Sequence, residues 1–211
     1  MDKFDQISTF CRYTQVSRET ISSLKKYENL LIERNKTLNL IGKSTISEIW
    51  LRHFLDSSQV IDFIDKNEKT LVDLGSGAGF PGMVIAILAK DRKIPLNVKL
   101  IEKSPKKASF LRGVIRNLML NAEVTNINVL EQSGKLRTDL IVARAFKPLK
   151  NILHFLDQKA ENWKKIFLFL GKNGKNELLQ ASKSWDIKYK QRMSVSSSDS
   201  IVIEINRLKK K

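Results

Sequence analysis

The chain has 211 residues, 42% of them apolar, which is enough for one substantial core. Its net charge of +16, from 38 Lys and Arg against 22 Asp and Glu, favours polyanionic partners. Nucleic acid comes first, an anionic membrane surface second, and a merely solvated lysine-rich surface is the bland alternative. The lone cysteine, Cys11, excludes an internal disulfide and a cysteine-built zinc site. Apolar runs such as Met83–Ala89 fall far short of the roughly 20 residues that span a bilayer. The first residues, MDKFDQIST, lack a basic-then-apolar secretory pattern, so a reducing, cytoplasmic setting is expected.

Residues 1–66 are glycine-poor and read as a helical extension; residues 67–211 read as a separate domain. Ile21, Leu24 and Leu31 form one apolar stripe, with Ser17 and Thr20 placed to open the helix. Asn39–Lys43 reads as a loop, and Ser47–Asp56 resumes a helix. From Thr70 strands and helices alternate. Expected strands are Thr70–Leu74, Val98–Ile101, Val124–Leu130, Asp139–Ala143 and Lys165–Leu170. Expected helices run from Pro81 to Ala89, Pro105 to Leu118, Leu149 to Leu156 and Asn176 to Ser184. Trp185–Arg192 and Ile201–Arg207, with a Ser/Asp turn at Ser196–Ser200, read as an antiparallel hairpin. The alternation predicts an α/β fold with a mainly parallel sheet covered on both faces.

The first strand ends in Asp73-Leu74-Gly75-Ser76-Gly77-Ala78-Gly79-Phe80-Pro81-Gly82. Read from Gly75, this is an acid followed by G-x-G-x-G, a pattern that suits S-adenosylmethionine. Read from Gly77 it is G-x-G-x-x-G, which suits a dinucleotide such as NAD. Such turns lie where ligands of open parallel sheets bind, and glycines let the backbone approach the ligand. Glu102, at the end of the second strand, can accept from ribose hydroxyls of either cofactor. Asp73 favours a cofactor with a cationic group near the turn over a pyrophosphate, and Pro81 removes one donor a phosphate would use. Both lean toward S-adenosylmethionine.

Asn39-Leu40, Trp50-Leu51-Arg52-His53-Phe54-Leu55-Asp56-Ser57, DLGSGAGFPG, Ile101-Glu102-Lys103-Ser104 and Ala143-Arg144-Ala145-Phe146 occur in this order nearly end to end. In this the chain resembles the bacterial 16S rRNA guanine-N7 methyltransferase family, RsmG or glucose-inhibited division protein B. The resemblance implies a class I methyltransferase (Rossmann-like) fold: a seven-stranded, mainly parallel sheet with an antiparallel last strand, plus an N-terminal helical extension. It implies S-adenosylmethionine as cofactor and 16S rRNA of the small ribosomal subunit as partner. A monomer with no membrane partner is expected. By position, Asp73, Gly75, Gly77 and Phe80 would form the cofactor turn, Glu102 would take the ribose, and Arg144 would lie over the pocket as its catalytic residue. Asn128 and Val129 would border the adenine, although the family often has Arg-x-Glu in that loop. The Lys-Gly of the family after the fifth strand is displaced, as Gly171-Lys172.

The fourth strand is not followed by the Asn/Asp-Pro-Pro-aromatic arrangement that holds an exocyclic amine, and Cys11 is remote from the sheet edge. Guanine N7 carries a lone pair and no proton, so its methylation needs positioning rather than a general base. His53 and Asp56, three apart, suit either the site rim or a structural tie. Phe146 would stack on a base or simply pack. Lys103, Lys106, Lys107, Arg112 and Arg116 on one helix, with Arg207–Lys211 and Lys209 among them, would meet rRNA phosphates or stay solvated. An NAD-linked oxidoreductase and a non-catalytic RNA-binding protein with a vestigial cofactor pocket are the competing readings.

Overall fold

The computed structural model describes residues 2–131 and 133–211. It opens with α1 (Lys3–Thr14), capped by the Asp2 side chain, and α2 (Arg18–Asn35), capped by Ser17, which accepts from the Thr20 N–H. The Asn35 side chain then holds the loop: its Oδ1 accepts from the N–H groups of Leu40 and Ile41 at 2.8 and 3.0 Å. The expected helix over 47–56 is a composite. A 3-10 segment (Lys43–Glu48) passes into a π-helical turn (Trp50–Leu55), then α3 (Asp56–Ser58), and a last 3-10 turn ends at Phe63.

The sheet begins with β1 (Thr70–Leu74), followed by α4 (Gly82–Asp91), β2 (Asn97–Ile101), α5 (Pro105–Leu118) and β3 (Ala122–Thr125). A two-residue β4 (Leu136–Arg137) precedes β5 (Leu140–Arg144) and α6 (Leu149–Lys159). Next come β6 (Ala160–Glu161), β7 (Lys165–Leu170), α7 (Gly174–Ala181), β8 (Trp185–Ser194) and β9 (Ser197–Lys210). The order β3-β2-β1-β5-β7-β9-β8 makes seven strands; β9 alone opposes the others, inserted between β7 and β8. This is the expected seven-stranded sheet with an antiparallel last strand. The unforeseen β4 and β6 pair with each other outside it.

Local chemistry explains the shifted boundaries. β3 stops at Thr125 because the Asn126 amide donates to the Glu102 carbonyl and Val129 opens a 3-10 turn. The hairpin turn is only Val195-Ser196; the serines from Ser197 onward belong to β9. Pro81 caps α4 rather than filling its first turn, and its bond to Phe80 is cis.

Side chains alternate across the sheet. Leu140 and Val142 join the layer under α4 and α5, whereas Ile141 and Ala143 join that under α6 and α7. Helix α4 is buried from Gly82 to Ala89, so it has no solvent face. A helix apolar all round needs cover on both sides. The sheet covers one, and α2 and α3 cover the other, in a single core with Phe10, Tyr27, Trp50 and Phe54. No described helix is long and apolar enough to cross a membrane.

Candidate active site

Beyond the carboxyl ends of β1, β2 and β5 lies a cavity of about 490 Å³. Its wall includes Gly75, Gly77, Phe80, Glu102, Lys103, Lys107, Asn128, Val129 and Arg144, so most of the expected site residues converge there. Leu40, Ile41 and Gly42, from the loop after α2, form a further wall.

The glycine turn is built by close approaches. Gly75 has φ +70°, and a Cβ there would lie 2.4 Å from Phe146 Cδ2. At Gly79, with φ +108°, a Cβ would lie 2.6 Å from Tyr27 Oη. Tyr27, buried on α2, donates its hydroxyl to the Ala78 carbonyl at 2.6 Å. The N-terminal helices therefore brace the turn directly, through a residue no sequence motif marks.

Glu102 joins the turn to the second strand. Its Oε2 accepts from the Gly77 N–H and its Oε1 from the Ser104 N–H, each at 2.8 Å. Carboxylate oxygens carry further lone pairs, so Glu102 can still accept from a diol in the cavity. Asn128 folds its own loop, donating to Glu131 Oε1 at 2.6 Å and accepting from the Leu130 N–H.

Asp73 is not on the cavity wall. It is fully buried beneath the turn, where Oδ2 accepts from the Gly82 N–H at 3.0 Å and Oδ1 has no partner. Burial pushes its carboxyl up to about 7, with Glu102 adding to the shift and Arg144 opposing it. The expectation of a carboxylate facing a cation thus meets a different geometry: Asp73 clamps the start of α4 from below.

Arg144, at the end of β5, is gripped by the π-helical segment. The Asp56 N–H donates to Leu51 and His53 carbonyls, not to that of Arg52 as an ordinary α-turn would require. The Arg52 carbonyl accepts from Arg144 Nη2 at 2.8 Å. Asp56 Oδ2 lies 3.3 Å from Arg144 Nη1. His53 stacks on Phe80 with ring centroids 4.8 Å apart. Burial first, then Arg144 and Arg52, lowers its pKa to about 3, so the ring is neutral. Neutral imidazole can accept at Nδ1 from Arg144 (3.2 Å) while Nε2–H donates to Thr45 Oγ1 (2.9 Å). His53 and Asp56, open to two readings in the sequence, both hold Arg144.

The basic residues separate. Lys103 and Lys107 border the cavity, Lys106 is exposed nearby, and Arg112 reaches the Val124 carbonyl on β3 at 3.4 Å. Lys209 lies elsewhere. Because β9 is antiparallel, with Ile201 beside Leu170 and Ile205 beside Ile166, it runs away from the cavity toward the opposite sheet end.

With this geometry in place, the relatives are informative. The family model GidB, described as rRNA small subunit methyltransferase G, matches residues 20–203. The chain belongs to the GidB family. A Pelagibacter ubique ribosomal RNA small subunit methyltransferase G is 40% identical over 198 residues, covering 93% of this chain and 92% of that protein. One from Paramagnetospirillum magneticum is 36% identical, covering 92% and 91%. At the level of fold alone, the chain is similar to M. capricolum TrmK in complex with S-adenosyl-homocysteine. The TM-score is 0.53 at 18% identity, over 71% of this chain and 66% of that one. The GidB match takes in Tyr27, the glycine turn, Glu102 and Arg144, and stops before Lys209.

Proposed function

We propose that this chain transfers the methyl group of S-adenosylmethionine to N7 of a guanine in 16S rRNA of the small ribosomal subunit. The observation that carries the reading is the GidB match over residues 20–203, because that span contains the whole cavity wall. The cavity suits the cofactor. Gly75 and Gly77 give the wall a backbone surface without side chains, Glu102 offers acceptors for ribose hydroxyls, and Val129 with Ile127 gives an apolar border for adenine.

When bound, S-adenosylmethionine supplies a methyl carbon on a cationic sulfur, open to displacement by a lone pair. The protein's part is positioning. Arg144, fixed by Arg52, His53 and Asp56, presents a cation at the end of β5 beside the turn. His53 is engaged at both ring nitrogens, an arrangement suited to an acceptor with no proton to remove. The same reading keeps residues 1–66 as a helical extension and 67–211 as the methyltransferase domain. It carries with it a cytoplasmic location, action as a monomer, and phosphate contacts by Lys103, Lys106, Lys107 and Arg112.

Calorimetry with S-adenosylhomocysteine and NAD tests the cofactor. Binding of the former alone is expected, weakened by at least about a hundredfold in Gly75→Arg with the fold retained. Binding of NAD alone would refute the reading.

A further inference from the structure

A second, smaller cavity of about 200 Å³ adjoins the first and shares Arg144 and Ala145 with it. Between them the chain turns at Ala145, which has φ +49°. The second cavity is lined by Asp56, by Ser194 at the end of β8, by Ser196 in the β8–β9 turn and by Ser200 on β9. We propose that it receives the acceptor guanine, unstacked from the RNA, and reads its Watson–Crick edge through Ser194 and Ser196. This rests on the methyl-transfer reading above.

The hydrogen-bond polarity of the cavity carries the proposal. Ser194 Oγ and Ser196 Oγ both donate to Asp56 Oδ1, at 2.7 and 2.8 Å. The Gln59 amide donates to the same oxygen at 2.9 Å, and the Gln59 carbonyl oxygen takes the Val195 N–H, fixing the turn. Ser194 Oγ also accepts from the Ser196 N–H at 3.1 Å and lies 3.1 Å from Ser196 Oγ; with both hydroxyl protons directed at the carboxylate, the serines offer a ligand their remaining lone pairs, chiefly those of Ser196. Guanine presents two donors on this edge, N1–H and the N2 amino group. Adenine presents a lone pair at N1 and is repelled there. Beside these acceptors, Arg144 also lines the cavity, its Nη1 buried 3.3 Å from Asp56 Oδ2, so that a positive charge lies on the side where guanine O6 would sit. A base so held turns its N7 edge away from the serines, toward the wall that Arg144 and Ala145 share with the larger cavity. Reading a flipped base by its Watson–Crick edge is a general solution for enzymes acting on bases.

The test uses small subunits reconstituted with rRNA carrying inosine at the mapped acceptor position. Inosine keeps N7 and O6 but lacks the N2 amino group. The wild-type protein is expected to methylate it about tenfold or more slowly than guanine. Ser194→Ala/Ser196→Ala should lower transfer to guanine, abolish the discrimination, and bind S-adenosylhomocysteine as before. Ser196→Ala alone, at a half-buried position, serves if the double variant does not fold. Equal wild-type rates on the two bases, or full discrimination by the folded serine variants, would overturn the pocket while leaving N7 transfer intact. Methylation of a 7-deazaguanine acceptor would instead sink the N7 reading, and this proposal with it.

Discussion

Asp73 shows how one residue ties the turn to pH. Its carboxyl sits at about 7 in the fold against an ordinary 3.8, chiefly through burial. The folded protein therefore binds this proton more tightly than the unfolded chain. The group's stabilising contribution is full below the ordinary value and is lost as pH rises through about 7. The charged and titratable groups facing it are Glu102, Arg144 and Tyr27. Asp73→Asn keeps an acceptor for the Gly82 N–H and removes the titration. Urea unfolding at about pH 5 and about pH 8 should show the variant gaining on the wild type at the higher pH. A difference that does not change with pH would contradict the burial argument. Groups titrating lower, such as Asp139 at about 2, cancel in that comparison.

At the scale of elements, the N-terminal helices do more than cover α4. Tyr27 on α2 holds the Ala78 carbonyl, and the turn from Trp50 to Leu55 holds Arg144. Tyr27→Phe leaves a buried carbonyl without its donor, at a cost of about 1–3 kcal/mol. It should also weaken S-adenosylhomocysteine binding, read by denaturant titration and calorimetry together; unchanged stability would contradict the brace. How legible these elements are depends on distance along the chain. The run from Thr70 to Gly82 is readable because strand, turn and helix cap are neighbours. Ser17 and Pro105 mark helix starts for the same local reason. Tyr27 and Ala78 are 51 residues apart, and Arg144 and Arg52 are 92 apart. No periodicity encodes those contacts. Asp73 is legible as an acid at a strand end; that it points under the turn depends on the absent Cβ of Gly82, which would lie 2.7 Å from Oδ2. β3 reads too long because Asn126 and Asn128 interrupt an otherwise β-like run with side-chain bonds to Glu102 and Glu131.

Across the whole molecule cations outnumber acids, and some of them meet an acid: Arg207 pairs with Asp186, Lys165 with Asp65 and Glu68, Lys99 with Glu123. Among the described residues, many cations far from the cavity, such as Lys188, Lys209 and Lys210, form no salt bridge, and neither do Lys103, Lys107 and Lys147 on the cavity wall. Unpaired cations there suit RNA phosphates. Lys103→Glu/Lys106→Glu should weaken rRNA binding and flatten its salt dependence, by about one unit of log–log slope for each phosphate no longer neutralised. Lys209→Glu, at the far end of β9, should leave both unchanged. Equal effects from the two ends would mean that charge acts globally rather than at the mouth.

Transfer to guanine N7 is read most directly by supplying labelled S-adenosylmethionine to small subunits that lack the modification, then mapping the label. Label is expected on N7 of a single guanine in 16S rRNA, abolished by Arg144→Ala in a protein that remains folded. Label on a ribosomal protein, on another base atom, or undiminished transfer by the Arg144 variant would contradict that expectation.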